Sequence, residues 1–85
     1  MKRFILNEEE INLLFKQDPE TKGEGGFQSL MVKLQNQFNP EIKEIELDVE
    51  DLERIPRYAF DYGNGGWENR LVGIFSRHMG SLLGR

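Results

Sequence analysis

Two glycine-rich segments forty residues apart constrain this chain more than any other feature. Gly23-Glu24-Gly25-Gly26-Phe27-Gln28 is echoed by Gly63-Asn64-Gly65-Gly66-Trp67-Glu68, and apolar positions after each segment also match: Met31 with Leu71, Val32 with Val72, Leu34 with Ile74. Upstream, Phe4-Ile5-Leu6-Asn7 with Glu10-Ile11 aligns with Ile45-Glu46-Leu47-Asp48 and Asp51-Leu52 at an offset of forty-one. Self-similarity of this kind marks repeated supersecondary units. Each half reads as a short strand, a capped helix, a glycine turn and a second helix. The pattern predicts a mostly helical α+β fold in one domain spanning residues 1–85, with pseudo-repeated halves at about 1–40 and 41–85 and a small two-stranded antiparallel sheet. Convergence of two helix–turn–helix pairs on the same turn chemistry is the alternative to duplication.

Local signals place the elements. Asn7 and Asp48 are good N-caps, each with an acid three residues on, as in a capping box. The first helix is expected over Glu8 to Gln17, burying Ile11, Leu14 and Phe15, and ending at Asp18-Pro19. In the second, Phe27, Leu30, Met31, Leu34 and Phe38 follow one helical face until Asn39-Pro40. Ile42 to Leu47 alternates loosely and predicts a strand paired with Phe4-Ile5-Leu6. Pro56 predicts a kink or a fresh start in the third helix. Gly63 to Gly66 needs a positive φ somewhere. The fourth helix turns Trp67, Leu71, Ile74 and Phe75 inward, with His78 near its end, and Gly80 stops it.

Composition narrows the function classes. Hydrophobic residues make up 38% and charged residues 31% of the 85, a balance that suits a folded soluble domain rather than a disordered tail. The chain has no cysteine, which excludes disulfides and thiolate zinc sites and fits a reducing, cytoplasmic setting. Met1 to Leu6 begins like a signal peptide, but Asn7 and Glu8-Glu9-Glu10 interrupt the apolar run, and no stretch approaches membrane-spanning length. The net charge of −4 is segregated: residues 41–53 carry one Lys against seven acids, whereas residues 54–85 carry five Arg against two acids. The acidic band disfavours direct nucleic-acid binding. A chain this small is expected to be modestly stable or helped by self-association.

No complete catalytic signature is present, and no cofactor is expected. His78 is the sole histidine, and Ser76, two positions away on a helix, does not face it. From Asp18, the residues Glu20 and Gly23 mimic a calcium loop, but Lys22 and Ser29 stand where ligands are needed, so no metal site is expected. Neither glycine segment ends in Gly-Lys-Ser/Thr as a phosphate loop does. Both do place glycines at a helix N-terminus, where free amides favour an anion. The second segment has the richer surroundings. Tyr58, Tyr62 and Trp67 offer aromatic faces, Asn64 and Asn69 offer hydrogen bonds, Gly65 and Gly66 offer backbone, and Arg57 and Arg70 offer charge. These nine residues form the candidate ligand- or partner-binding site, and Glu50 and Asp51 form a candidate acidic patch. The competing reading makes the tyrosines and Trp67 simply core.

The stretch Arg57-Tyr-Ala-Phe-Asp-Tyr-Gly-Asn-Gly-Gly-Trp-Glu-Asn-Arg70, with its echo at Gly25 to Ser29, resembles small uncharacterised proteins of bacteria and their phages. The resemblance spans most of the chain and supplies no catalytic residues. It implies an inhibitor of host machinery, of the anti-CRISPR or another anti-defence kind. The expectation is therefore a non-catalytic binding protein that occupies a host protein surface. The alternative is a homo-oligomer sequestering a nucleotide or similar anion at the Gly63–Arg70 turn. A small enzyme with a site shared between protomers comes third.

Overall fold

The computed structural model describes residues 1–83. Strand β1 (Lys2–Ile5) leads into helix α1 (Glu8–Leu14), a 3-10 turn (Pro19–Gly23), helix α2 (Gly26–Asn36), strands β2 (Phe38–Asn39) and β3 (Glu44–Leu47), helix α3 (Val49–Pro56), a wide π-type turn (Arg57–Asp61), helix α4 (Gly65–Met79) and a closing 3-10 turn (Gly80–Leu83). The fold is thus mostly helical α+β, as the sequence predicts. The order strand, helix, short helical turn, helix occurs twice along it.

The sheet has three strands, not two, in the order β1-β3-β2, and both pairings are antiparallel. The additional strand is made by Phe38, which the periodicity assigns to the second helix, and Asn39, expected to end that helix. α2 stops at Asn36, and the Gln37 carbonyl accepts from the Glu46 amide at 3.3 Å, so the chain joins the ladder immediately. Asn39 Oδ1 accepts from the Glu41 amide, and Lys43 takes a φ of 56° to turn the hairpin. Phe38, opposite Ile45, then contributes to the core from a strand rather than from a helix.

Both capping boxes form. Asn7 Oδ1 accepts from the Glu10 amide while Glu10 Oε1 accepts from the Asn7 amide, and Asp48 and Asp51 repeat the exchange at 2.8 and 3.0 Å. α1 ends three residues earlier than expected. Gln35, buried in α2, donates Nε2 to the carbonyls of Leu14 and Gln17, holding the chain in a turn there. Shortening α1 leaves Phe15 half exposed, edge-on to Phe38, instead of buried. Pro56 closes α3, and the wide turn that follows is the break in register that a missing amide donor demands. Gly63 takes a φ of 64° and Gly80 one of 53°, the left-handed values their turns require.

The helices cover the inner face of the sheet. Leu14, Phe27, Leu30, Ile45, Ile55 and Phe75 are among the fully buried side chains, drawn from both halves of the chain into a shared core. α1 lies close along α4, where a Cβ on Gly73 would meet Leu13 Cδ1. No helix among the described residues is long and apolar enough to cross a membrane.

Candidate functional site

The two glycine turns meet. Phe27, at the start of α2, and Trp67, at the start of α4, stack face to face with centroids 4.8 Å apart and planes within 6°. The π-type turn brings two tyrosines onto this pair. Tyr58 meets Trp67 edge-on at 5.8 Å and stacks on Tyr62 at 4.9 Å, and Tyr62 also meets Trp67 edge-on at 5.9 Å. The rings grade from core to solvent: Phe27 is buried, Trp67 and Tyr58 are half-buried, and Tyr62 is 54% exposed. Of the three rings that the sequence leaves open between site and core, Tyr62 lies at the surface, while Tyr58 and Trp67 are half-buried against the core residue Phe27.

Gly26 is what lets the rings close up. A Cβ there would overlap the Tyr58 hydroxyl, so the first glycine turn is shaped to receive a side chain of the second half. Arg54, which the sequence reading did not single out, lies over the Tyr58 ring with Cζ 5.9 Å from the centroid. It also donates to the Gly26 carbonyl and pairs with Glu50, both at 3.3 Å. Its signal in the sequence is its position four residues before Tyr58, one helical turn back.

The other predicted residues separate into distinct roles. Arg70 lies over Phe27 at 5.5 Å and donates Nη1 to Gln17 Oε1 at 2.6 Å, so it fastens α4 to the turn that follows α1. Asn64 caps α4 through Oδ1, which accepts from the amides of Gly66 and Trp67 at 3.0 and 3.1 Å. The helix N-terminus expected to offer free amides to an anion has these two satisfied by its own cap. Gly65 and Asn69 are exposed beside it. Arg57 is exposed and makes no ion pair among the described residues.

The acidic patch is not a surface feature as a pair. Glu50 is exposed, but Asp51 is fully buried, accepting from Lys33, Gln37 and the Asp48 amide. Burial follows from its capping-box position, which turns the side chain back over the helix start, where Lys33 and Gln37 meet it. Much of the acidic band is neutralised internally: Glu44 and Glu46 face Arg3, and Asp48 and Asp51 face Lys33.

A second polar cluster gathers around Glu10. Burial opposes ionisation of its carboxyl, but hydrogen bonds from Arg77, the Asn7 amide and His78 overcome this and hold its pKa at about 2. His78 Nε2 lies 3.0 Å from Glu10 Oε1, and the imidazole stacks on Phe4 at 5.0 Å. The histidine is built into the packing of α4 on β1. Among the described residues no group of three His, Asp or Glu side chains is placed to hold a metal ion.

No protein-family model, curated protein or solved structure matches this chain.

Proposed function

We propose that this chain is a small non-catalytic binding protein that occupies a partner protein's surface through the Tyr58–Tyr62–Trp67 platform. The observation that carries the reading is Tyr62. Its ring is more than half exposed, yet it is held in place by stacking on Tyr58 and by the edge of Trp67. An exposed aromatic ordered in advance loses little entropy on binding, and Tyr, Trp and Arg dominate interface hot spots. Arg54, which lies over Tyr58, and the exposed Arg57, next to Tyr58 in the chain, favour an acidic rim on the partner. That the partner is a host protein in the cytoplasm, inhibited by a phage-type factor, rests on the resemblance described above. A nucleotide at the Gly63–Arg70 turn finds less support, because Asn64 occupies the amides of Gly66 and Trp67 and Arg70 is engaged by Gln17.

The test is affinity capture from the native host with wild-type chain, Tyr62→Ala and Arg57→Ala, alongside thermal unfolding of each. A partner retained by the wild type and lost with both variants, at unchanged melting temperature, supports the proposal. Capture that is indifferent to both substitutions, or no capture, overturns it.

A further inference from the structure

Asn64-Gly65 is the one place in the chain where an asparagine precedes a glycine. That pairing carries a chemistry of its own. The backbone nitrogen of the following residue can attack the asparagine side chain, and glycine, with no Cβ, leaves the approach open. Asn64 and Gly65 are both exposed, so water and hydroxide reach them.

The fold sets the pair against this reaction. Attack needs the Gly65 nitrogen swung to the same side as Asn64 Cβ, so that a succinimide ring can close. Asn64 has a ψ of 105°, which turns that nitrogen away from Cβ. Rotating it back breaks the start of α4. The Asn64 carbonyl accepts from the Glu68 amide at 2.9 Å, and Oδ1 accepts from the amides of Gly66 and Trp67 at 3.0 and 3.1 Å. All of these bonds are lost in the reactive conformation. Trp67, stacked on Phe27, also packs this first turn against α2. The two donors on Oδ1 draw electrons from Cγ, which favours attack, but a nitrogen held out of reach gains nothing from it.

We propose that Asn64 is a site of spontaneous deamidation held unreacted by the first turn of α4, and that the isoaspartyl product of the reaction loses the cap. Where the turn opens, the deprotonated Gly65 nitrogen bonds to Asn64 Cγ, the Cγ–Nδ2 bond breaks and Nδ2 leaves as ammonia. Water then opens the succinimide at either carbonyl. Opening at Cγ leaves an aspartate, whose carboxylate caps the helix as Asn64 does. Opening at the other carbonyl leaves an isoaspartate, in which the main chain runs through Cβ and Cγ and the carboxylate hangs from Cα. That takes the acceptor away from the Gly66 and Trp67 amides and loosens the start of α4.

The test is mass spectrometry with peptide mapping of the intact chain, held warm at mildly alkaline pH with and without guanidinium. Deamidation at Asn64 should run at least about tenfold more slowly in the folded protein, because the cap and the first helical bond must open first. Gly65→Ala, whose Cβ meets nothing within 4 Å, should stay folded and suppress the reaction in both solutions. Trp67→Ala leaves the reacting pair intact and should raise the folded rate. The comparison of the wild type in the two solutions stands by itself where that variant does not fold. The isoaspartyl product, separated by chromatography, should melt below Asn64→Asp. The proposal is overturned by no reaction at Asn64 in guanidinium, by equal rates for folded and unfolded wild type, or by an undiminished reaction in Gly65→Ala. A folded Trp67→Ala that reacts no faster than wild type, or an isoaspartyl product that melts with Asn64→Asp, overturns it equally.

Discussion

Gln37 and Arg77 stand forty residues apart and make the same pair of contacts on opposite halves of the chain. Gln37 Nε2 donates to the Glu46 carbonyl and the Asp51 carboxylate, both at 2.8 Å; Arg77 Nη2 donates to the Ile5 carbonyl at 3.2 Å and to Glu10 at 2.8 Å. Each ties the end of one half's second helix to the strand and the capping box of the other half. The two acids they reach, Glu10 and Asp51, are the buried carboxylates of the described chain, and both are fully hydrogen-bonded. These clasps hold the halves in register beyond what non-directional apolar burial supplies.

The Glu10 clasp predicts an acid dependence of stability. A carboxyl whose pKa is depressed on folding stabilises the fold fully above its unfolded value, and that contribution fades as pH falls through the folded value. For Glu10 the window runs from its ordinary 4.5 down to about 2. Glu10→Gln should cost about 1–2 kcal/mol at neutral pH, measured by urea unfolding. The difference from wild type should shrink steadily between these two pH values. A difference that stays constant down to pH 2 would refute the assignment.

Asp51→Ala should destabilise more than Glu50→Ala. Asp51 is buried and receives Lys33, Gln37 and the Asp48 amide, so its loss removes a cap and takes an acceptor from each of these three donors, at a cost of about 2–3 kcal/mol. Glu50 is exposed and pairs with Arg54 one turn on, so its removal should barely move the urea midpoint. Equal midpoints for the two variants would contradict the buried placement of Asp51.

Gln35 is a polar residue in an apolar position, and its amide serves the carbonyls of Leu14 and Gln17. Gln35→Leu matches its size but abandons both acceptors. It should lower stability by about 1–3 kcal/mol, and amide exchange should rise first at the end of α1. Exchange that rises uniformly across the chain would argue against this local role.

Gly26→Ala should clash with the Tyr58 ring. Overpacking of this kind costs about 1–3 kcal/mol. Combining it with Tyr58→Phe, which deletes the hydroxyl in the way, should recover part of that loss in a double-mutant cycle. Strict additivity of the two substitutions would show that the contact carries no energy.

Several elements were legible because their causes are local. The caps at Asn7 and Asp48, the break at Pro56, the positive φ at Gly63 and the stop at Gly80 each depend on the residue itself and its near neighbours. The apolar rhythm of α2 and α4 likewise marked the buried faces. The site was half legible. The sequence singles out the aromatics and arginines around the second glycine turn, but not Arg54, whose place comes from lying over Tyr58 and reaching Gly26 across the fold. Phe38 was placed on the wrong element, since a two-residue strand has no periodicity to detect.

The sequence by itself determined the helix starts and the turns, because short-range sterics, capping and periodicity decide these within a few residues. Tertiary structure decided which polar groups are exposed. Asp51 and Gln35 look like surface residues in the chain, yet lie inside because partners distant in sequence satisfy them. The sequence leaves Tyr62 open between site and core; it stands in solvent because Phe27, Tyr58 and Trp67 fill the space behind it. Burial of a hydrogen-bonding or aromatic side chain depends on what arrives beside it, and that is a property of the packed halves rather than of either one.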